Sequence, residues 1–216
     1  MIGSEMLRYD KQQKYLIADY EAESLNLYYA RPWQCAWMIC TLNEVLEKHD
    51  HYPFFADLEV SRVAAQVTKF NLQEYKERAE DARGVLDKFE SYLFDPQYII
   101  IFHNGLQYDT MVHQTFRRQF GLPRDYSYQS RFIDTNAIAK AFKKNVKPPQ
   151  YGTIDFLAFQ FRLAGLFQTG LKSSLTNLGK EFEIEYDYDN LHRGINDIGL
   201  NYLVWKELVN KIEISK

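Results

Sequence analysis

The chain is short of cysteine, has no long apolar run and carries little net charge. Only Cys35 and Cys40 occur among 216 residues, which excludes a disulfide-stapled scaffold. Their odd separation of five puts them on opposite faces of a strand, as buried thiols of a reducing compartment. No stretch approaches the ~20 apolar residues that cross a bilayer, and the opening MIGSEMLRYDKQQK has no apolar signal core. A cytoplasmic protein without membrane contact is therefore expected. The net charge of -3 argues against sequence-independent coating of nucleic acid by a broad basic surface. It leaves room for an enzyme whose acidic pocket meets phosphate locally. Repeats and low-complexity segments are absent as well.

What is present fits a single domain over 1–216, with a core at about 15–210. Hydrophobic residues at 46% and charged residues at 25% are ordinary for a soluble globular protein. Sixteen Tyr and fifteen Phe imply an aromatic-rich core, with base-stacking surfaces as the alternative.

The organising stretch is 15–25, YLIADYEAESL. Its apolar start reads as a buried strand, and side chains two apart on a strand leave one face, so Asp19 and Glu21 point together. Two adjacent anions repel unless one is protonated or a cation lies between them, and a hard divalent ion is the simplest remedy. A solvated strand end would also accommodate the pair.

Further along, 33–41 (WQCAWMICT) reads as a second buried strand and 45–55 contains a third. Within it His49 and His51 form an HxH pair with no third ligand nearby, so a solvated hairpin is expected there. Apolar positions Leu72, Tyr75, Ala79, Ala82, Leu86, Phe89 and Leu93 predict one helix over 72–93, interrupted by Gly84 and ended by Asp95-Pro96. YIIIF at 98–102 predicts a buried strand and His103-Asn104-Gly105 a tight loop. A helix follows over 109–120, then a strand over 130–133 leading through Asp134-Thr135 into a helix reaching 142. A two-proline loop spans 143–150. Residues 154–167 suit helix and strand alike and are read as a helix that is either core or a partner surface. Helices over 173–182 and 196–212 close the chain. The predicted class is α/β, a mixed central sheet flanked by helices.

The acids Asp19, Glu21, Asp109 and Asp197 all fall at strand ends or helix starts, which meet at one edge of such sheets. Four converging carboxylates would hold two divalent ions. His192 lies five residues before Asp197, about 140° away on a continuous helix, so it belongs to the entering turn and would reach over the ions.

These motifs together resemble the DnaQ-like 3′ to 5′ exonucleases of the RNase H-like superfamily, in the subgroup named for four acids and a histidine. Asp19-Tyr20-Glu21 matches the first motif, His103-Asn104 with Asp109 in HNGLQYD the second, and His192 with Asp197 in HRGIND the third. Asp134-Thr135 and SLTNL (174–178) are supporting matches. The sister subgroup would place tyrosine where Arg193 stands.

The resemblance implies an RNase H-like fold and removal of nucleotides from single-stranded 3′ ends, DNA favoured over RNA, by two-metal hydrolysis with Mg²⁺ or Mn²⁺. Asp19, Glu21 and Asp197 would hold one ion, Asp19 and Asp109 the second, and His192 would be the general base. Ala22 and Leu25 would grip the terminal nucleotide, with Asn104 ordering the site. A polymerase or replication partner is the alternative setting. The chain departs from the family at 22–25, where AESL replaces TTGL and Glu23 adds an anion beside the site's mouth. Residues 154–170 look like an insertion. Two basic clusters, Lys140, Lys143, Lys144 and Lys147, and Arg117-Arg118, would either meet the phosphate backbone or be solvated faces.

Overall fold

The computed structural model describes residues 6–216. Its centre is a strand, β1 (Lys14–Ala22), whose residues Tyr15–Ala18 are wholly buried. Such a run is shielded on both faces, and the chain covers it with helices on each side. β2 (Pro32–Cys40) pairs antiparallel with β1, and β3 (Val45–Phe54) antiparallel with β2, an uninterrupted meander. β5 (Tyr98–Phe102) lies parallel to β1 on its other side and β6 (Phe132–Asp134) parallel to β5. With β4 (Ala79–Asp81) beside β3, the order is β4-β3-β2-β1-β5-β6. The mixed α/β class expected from the sequence is what is found.

Alternation along β1 assigns the two faces. Tyr15 packs edge-on against Trp205 of α8 (Gly194–Lys211), whereas Tyr20, an odd number of residues on, packs against Phe89 of α3 (Ala82–Leu93). Asp19 and Glu21 share the parity of Tyr15 and so face α8. α4 (Asp109–Gln119) follows β5, and α5 (Thr135–Lys143) follows β6.

Three expectations are corrected. The single helix over 72–93 is two, α2 (Leu72–Arg78) and α3, separated by β4. Tyr75 joins a satellite cluster with Trp33 and Tyr52, while Leu86, Phe89 and Leu93 enter the main core, so the heptad-like spacing spans two surfaces. Asp81 ends the break by accepting from the Gly84 N–H, a helix start. The HxH pair is on a hairpin strand but is not solvated. It sits mid-strand in β3, both imidazoles stacked on Trp37 at 4.7 and 4.8 Å, and His51 bonds Glu80 at 2.6 Å. Finally, α1 (Arg62–Thr68), capped by Ser61, was not anticipated.

α6 (Ile154–Ala164) has one core face, with Phe156, Phe159 and Leu163 buried. α7 (Leu175–Glu181) begins at the cap Ser174 in SLTNL. Both cysteines are buried free thiols. Among the described residues no helix is long and apolar enough to cross a membrane.

Candidate metal centre and catalytic cleft

The site exists because β1 outruns its parallel partner. Pairing between β1 and β5 ends at Ile17–Ile101, after which β5 continues only with β6. The last residues of β1 therefore border an opening, the usual ligand position in such sheets. The Tyr20 N–H, beyond the last pairing with β5, donates to Asp109 Oδ1 at 3.0 Å. This carboxylate, at the start of α4, thus ties α4 to β1 directly between Asp19 and Glu21 in the chain.

The register then brings α8 over the acids. Asp19 lies opposite Ala36 and Glu21 opposite Gln34 on β2. Gly194 rests on those same two β2 residues: its N–H donates to Gln34 Oε1 at 3.1 Å, and a Cβ there would stand 2.9 Å from the Ala36 Cβ. Only glycine permits this approach, and it sets Asp197, one turn on, above β1. Ligand oxygens of Asp19, Glu21 and Asp197 fall within 4.8 Å of one another. No other described group of three acids, histidines or cysteines is so arranged.

Charge is badly accommodated there. Burial raises all four carboxyl pKa values, Asp109 to about 8 and Asp197 to about 7. Asp19 is pushed up by burial and then by repulsion from Asp109, Glu21 and Asp197. Glu21 is raised by burial and by Asp197 and Asp109. Asp197 Oδ2 is buried without a hydrogen-bond partner. Clustered buried oxygens, one unsatisfied and none matched by a cation in contact, form a donor set suited to a hard divalent ion.

A cleft of about 310 Å³ opens on Asp19, Glu21 and Asp197, whereas Asp109 is outside its lining. His192 lines it from the turn before α8, as its spacing from Asp197 predicted, with a left-handed φ of 67°. Partial burial and the Lys69 charge lower its pKa, favouring neutral imidazole. Ala22 and Leu25 also line the cleft, Leu25 being 72% exposed at its mouth. Asn104 is not in the lining. Its backbone, at φ 63°, donates to Asp134 Oδ1 at 3.0 Å and accepts from the N–H groups of Gln107 and Tyr108. His103 lines the cleft instead, lowered by burial to a pKa of about 3, with Nδ1 2.9 Å from Thr135 Oγ1. Thr135 in turn donates to Asn201 Oδ1 at 2.7 Å, tying the second motif to α8.

Glu23 requires another correction. It does not stand as a free anion at the mouth: its carboxylate takes Arg31 Nε at 2.9 Å and Nη2 at 3.0 Å, and it is absent from the cleft wall. Its carbonyl accepts the N–H of Ser61, the cap of α1, at 2.8 Å. That contact seats a wall the sequence reading missed, Val63, Ala64, Val67 and Thr68 of α1. Lys69, ending α1, reaches over to the Asp189 carbonyl just before His192. The only signal for this wall was Ser61 ahead of a Val63/Val67 pair four residues apart, whose apolar face serves the cleft and not the core.

No family model and no curated protein matches the sequence. Solved structures do match in fold. E. coli exonuclease I in complex with a dA16 oligonucleotide is 19% identical with a TM-score of 0.72, over 93% of this chain and 41% of that one. The same enzyme with dT13 gives 19%, 0.70, 93% and 42%. Its zinc-bound complex with single-stranded DNA gives 18%, 0.70, 90% and 40%. The fold is the RNase H-like fold of exonuclease I. The chain spans about two-fifths of the length of these structures.

Proposed function

We propose that this chain is a divalent-metal-dependent 3′ to 5′ exonuclease acting on single strands, DNA in preference to RNA. The observation carrying the reading is the convergence of Asp19, Glu21 and Asp197 oxygens within 4.8 Å at the floor of a cleft that His192 lines. The exonuclease I structures similar in fold hold dA16 and dT13, which supports a DNA strand.

Asp19, Glu21 and Asp197 would hold one Mg²⁺ or Mn²⁺, and Asp19 with Asp109 a second. Such a pair of ions, when bound, lowers the pKa of the attacking water and stabilises charge on the leaving oxygen. Neutral His192 accepts the water proton at a ring nitrogen as the water oxygen bonds to phosphorus. The P–O3′ bond breaks and O3′ takes a proton from solvent, releasing a nucleoside 5′-monophosphate and a strand shorter by one with a free 3′ hydroxyl. The Ala22 backbone and Leu25 position the terminal nucleotide. Asn104, through its bond to Asp134, orders the loop that carries His103 to the cleft.

A second setting, action within a polymerase or other replication assembly, is favoured by exposed apolar residues around 154–170, with Phe167 at 96% and Ile154 at 76%. A single molecular mass at all concentrations, alone and with a candidate assembly, would count against it.

The test uses 5′-labelled DNA and RNA oligonucleotides with Mg²⁺, Mn²⁺ or chelator. A ladder shortening from the 3′ end, lost with chelator, is expected. His192→Ala should lower turnover about 10²- to 10⁴-fold while metal affinity holds. Unchanged turnover would remove His192 as the base, and no degradation of either strand would overturn the reading.

A further inference from the structure

We infer that a strand whose 3′ end occupies the cleft continues into a second groove, where Arg118 and Arg124 take phosphates and Tyr28 and Tyr126 stack bases. This rests on the exonuclease reading and extends it to the upstream nucleotides. The groove has a volume of about 180 Å³ and is lined by Leu27, Tyr28, Met111, Arg118, Arg124 and Tyr126.

The two cavities have no lining residue in common, but near neighbours in the chain line each of them. Leu25 lines the cleft while Leu27 and Tyr28 line the groove, and the Leu27 N–H donates to the Leu25 carbonyl at 3.1 Å. On the other side Tyr108 lines the cleft, and Met111, whose N–H donates to the Tyr108 carbonyl at 2.9 Å, lines the groove. One loop turn and one helical turn therefore connect them.

The chemistry of the groove is that of a single-strand track, in which cations meet the backbone and aromatic faces meet the bases. The Arg118 guanidinium lies 4.7 Å from the Tyr28 ring centroid and also donates to the Tyr28 carbonyl, which holds cation and ring in register. Neither Arg118 nor Arg124 has a carboxylate partner among the described residues. Tyr28 is 59% exposed and Tyr126 36%.

None of the other basic residues singled out by the sequence lines the groove. Arg117 turns inward to Glu90. Lys140 is buried on the Ala164 carbonyl, Lys143 pairs with Glu181, Lys144 bonds Gln168 and Lys147 pairs with Glu213. In a chain of net charge -3, the unneutralised arginines beside the cleft are the complement a phosphate backbone meets.

The test compares the full chain with Arg124→Ala, Arg118→Ala/Arg124→Ala and Tyr126→Ala on dT3 and dT16. Arg124 has no side-chain hydrogen bond or ion pair among the described residues, so its loss leaves folding intact. In the wild type with Mn²⁺, KM is expected to be lower for dT16 than for dT3. The double variant should raise the dT16 KM about tenfold and bring the KM ratio toward one. Its log KM against log salt should flatten by about 1.4, for two lost phosphate contacts at ~0.7 each. Tyr126→Ala should weaken dT16 binding about 5- to 160-fold, the range for one lost base stack.

An unchanged dT16 KM, or equal rises for both lengths, overturns the groove while cleavage itself upholds the exonuclease. Fluorescence anisotropy of labelled dT16 in chelator separates the opposite case. A wild type that cleaves nothing yet loses dT16 binding on Arg124→Ala keeps the groove and sinks the exonuclease reading. Absence of both binding and cleavage overturns both.

Discussion

Gln160 of α6 substitutes for a missing strand beside Asp134 on the sheet edge. Its Oε1 accepts the Asp134 N–H at 2.7 Å and its Nε2 donates to the Phe132 carbonyl at 3.0 Å. Both free backbone groups of edge strand β6 are thereby satisfied by one side chain, itself fully buried. Asp134 then uses its own carboxylate to receive the N–H groups of Asn104, Leu106, Asn136 and Ala137, fixing the loop that holds His103 and the start of α5.

Gln160→Leu keeps the volume and strands two buried backbone groups. We expect a loss of about 2–6 kcal/mol, at 1–3 kcal/mol per unsatisfied group. Urea denaturation reads it directly, and a loss below about 1 kcal/mol would mean water or backbone shifts replace the glutamine.

The acidic site predicts an inverted pH dependence of stability without metal. Asp109 at about 8 and Asp197 at about 7 stand above the ordinary aspartate value of 3.8, with Asp19 and Glu21 also raised. A group whose folded pKa exceeds its unfolded value gives stability that is complete below the unfolded pKa and lost as pH rises through the folded one. His103 acts oppositely, since its folded value of about 3 lies below 6.5, and costs stability only as pH falls below 6.5. Between pH 6.5 and 8.5 the carboxylates set the slope, so the Tm in chelator should fall as pH rises. Millimolar Mg²⁺ should restore it most at the alkaline end, because the ionised acids bind it best. A Tm in chelator that is flat or rising over this window would contradict the burial argument.

Asp19→Asn should separate function from stability. Removing one of the mutually repelling anions should raise the metal-free Tm by a few degrees at pH 8. Metal-dependent cleavage should fall at least ~10³-fold, as expected for loss of a ligand that positions the reacting groups. Calorimetric titration with Mn²⁺ supplies the check, and wild-type affinity in this variant would exclude Asp19 as a ligand.

Glu23→Gln should act on architecture. The pair with Arg31 is mostly buried, with side-chain exposures of 14% and 11%, and Arg31 retains Asp57. About 1–2 kcal/mol of stability should be lost, with the metal concentration for half-maximal activity nearly unchanged. A large rise in that concentration would return Glu23 to the metal site.

Local pattern was enough for much of this molecule. The apolar runs at 15–18, 33–41 and 98–102 have few alternatives to buried strands, because their length and β-rich content leave nowhere else to bury them. Period two along β1 put Asp19 and Glu21 on one face, and the five-residue step from His192 to Asp197 placed the histidine outside the helix. These follow from bond geometry within one element. What the sequence could not decide depends on which element each residue meets. The 72–93 spacing looked like one helix because periodicity does not reveal that Tyr75 and Leu86 are buried against different surfaces. Glu23 looked like a free anion until Arg31 was brought onto it, and the adjacent Arg117 and Arg118 looked equivalent until Arg117 turned inward to Glu90 and left Arg118 on the groove. The union of Asp19 and Glu21 with Asp197, some 180 residues away, needs the register of β1 on β2 and the close approach of Gly194 to Ala36. Those are long-range packing relations, for which a local stretch of sequence carries the residues and not the distances.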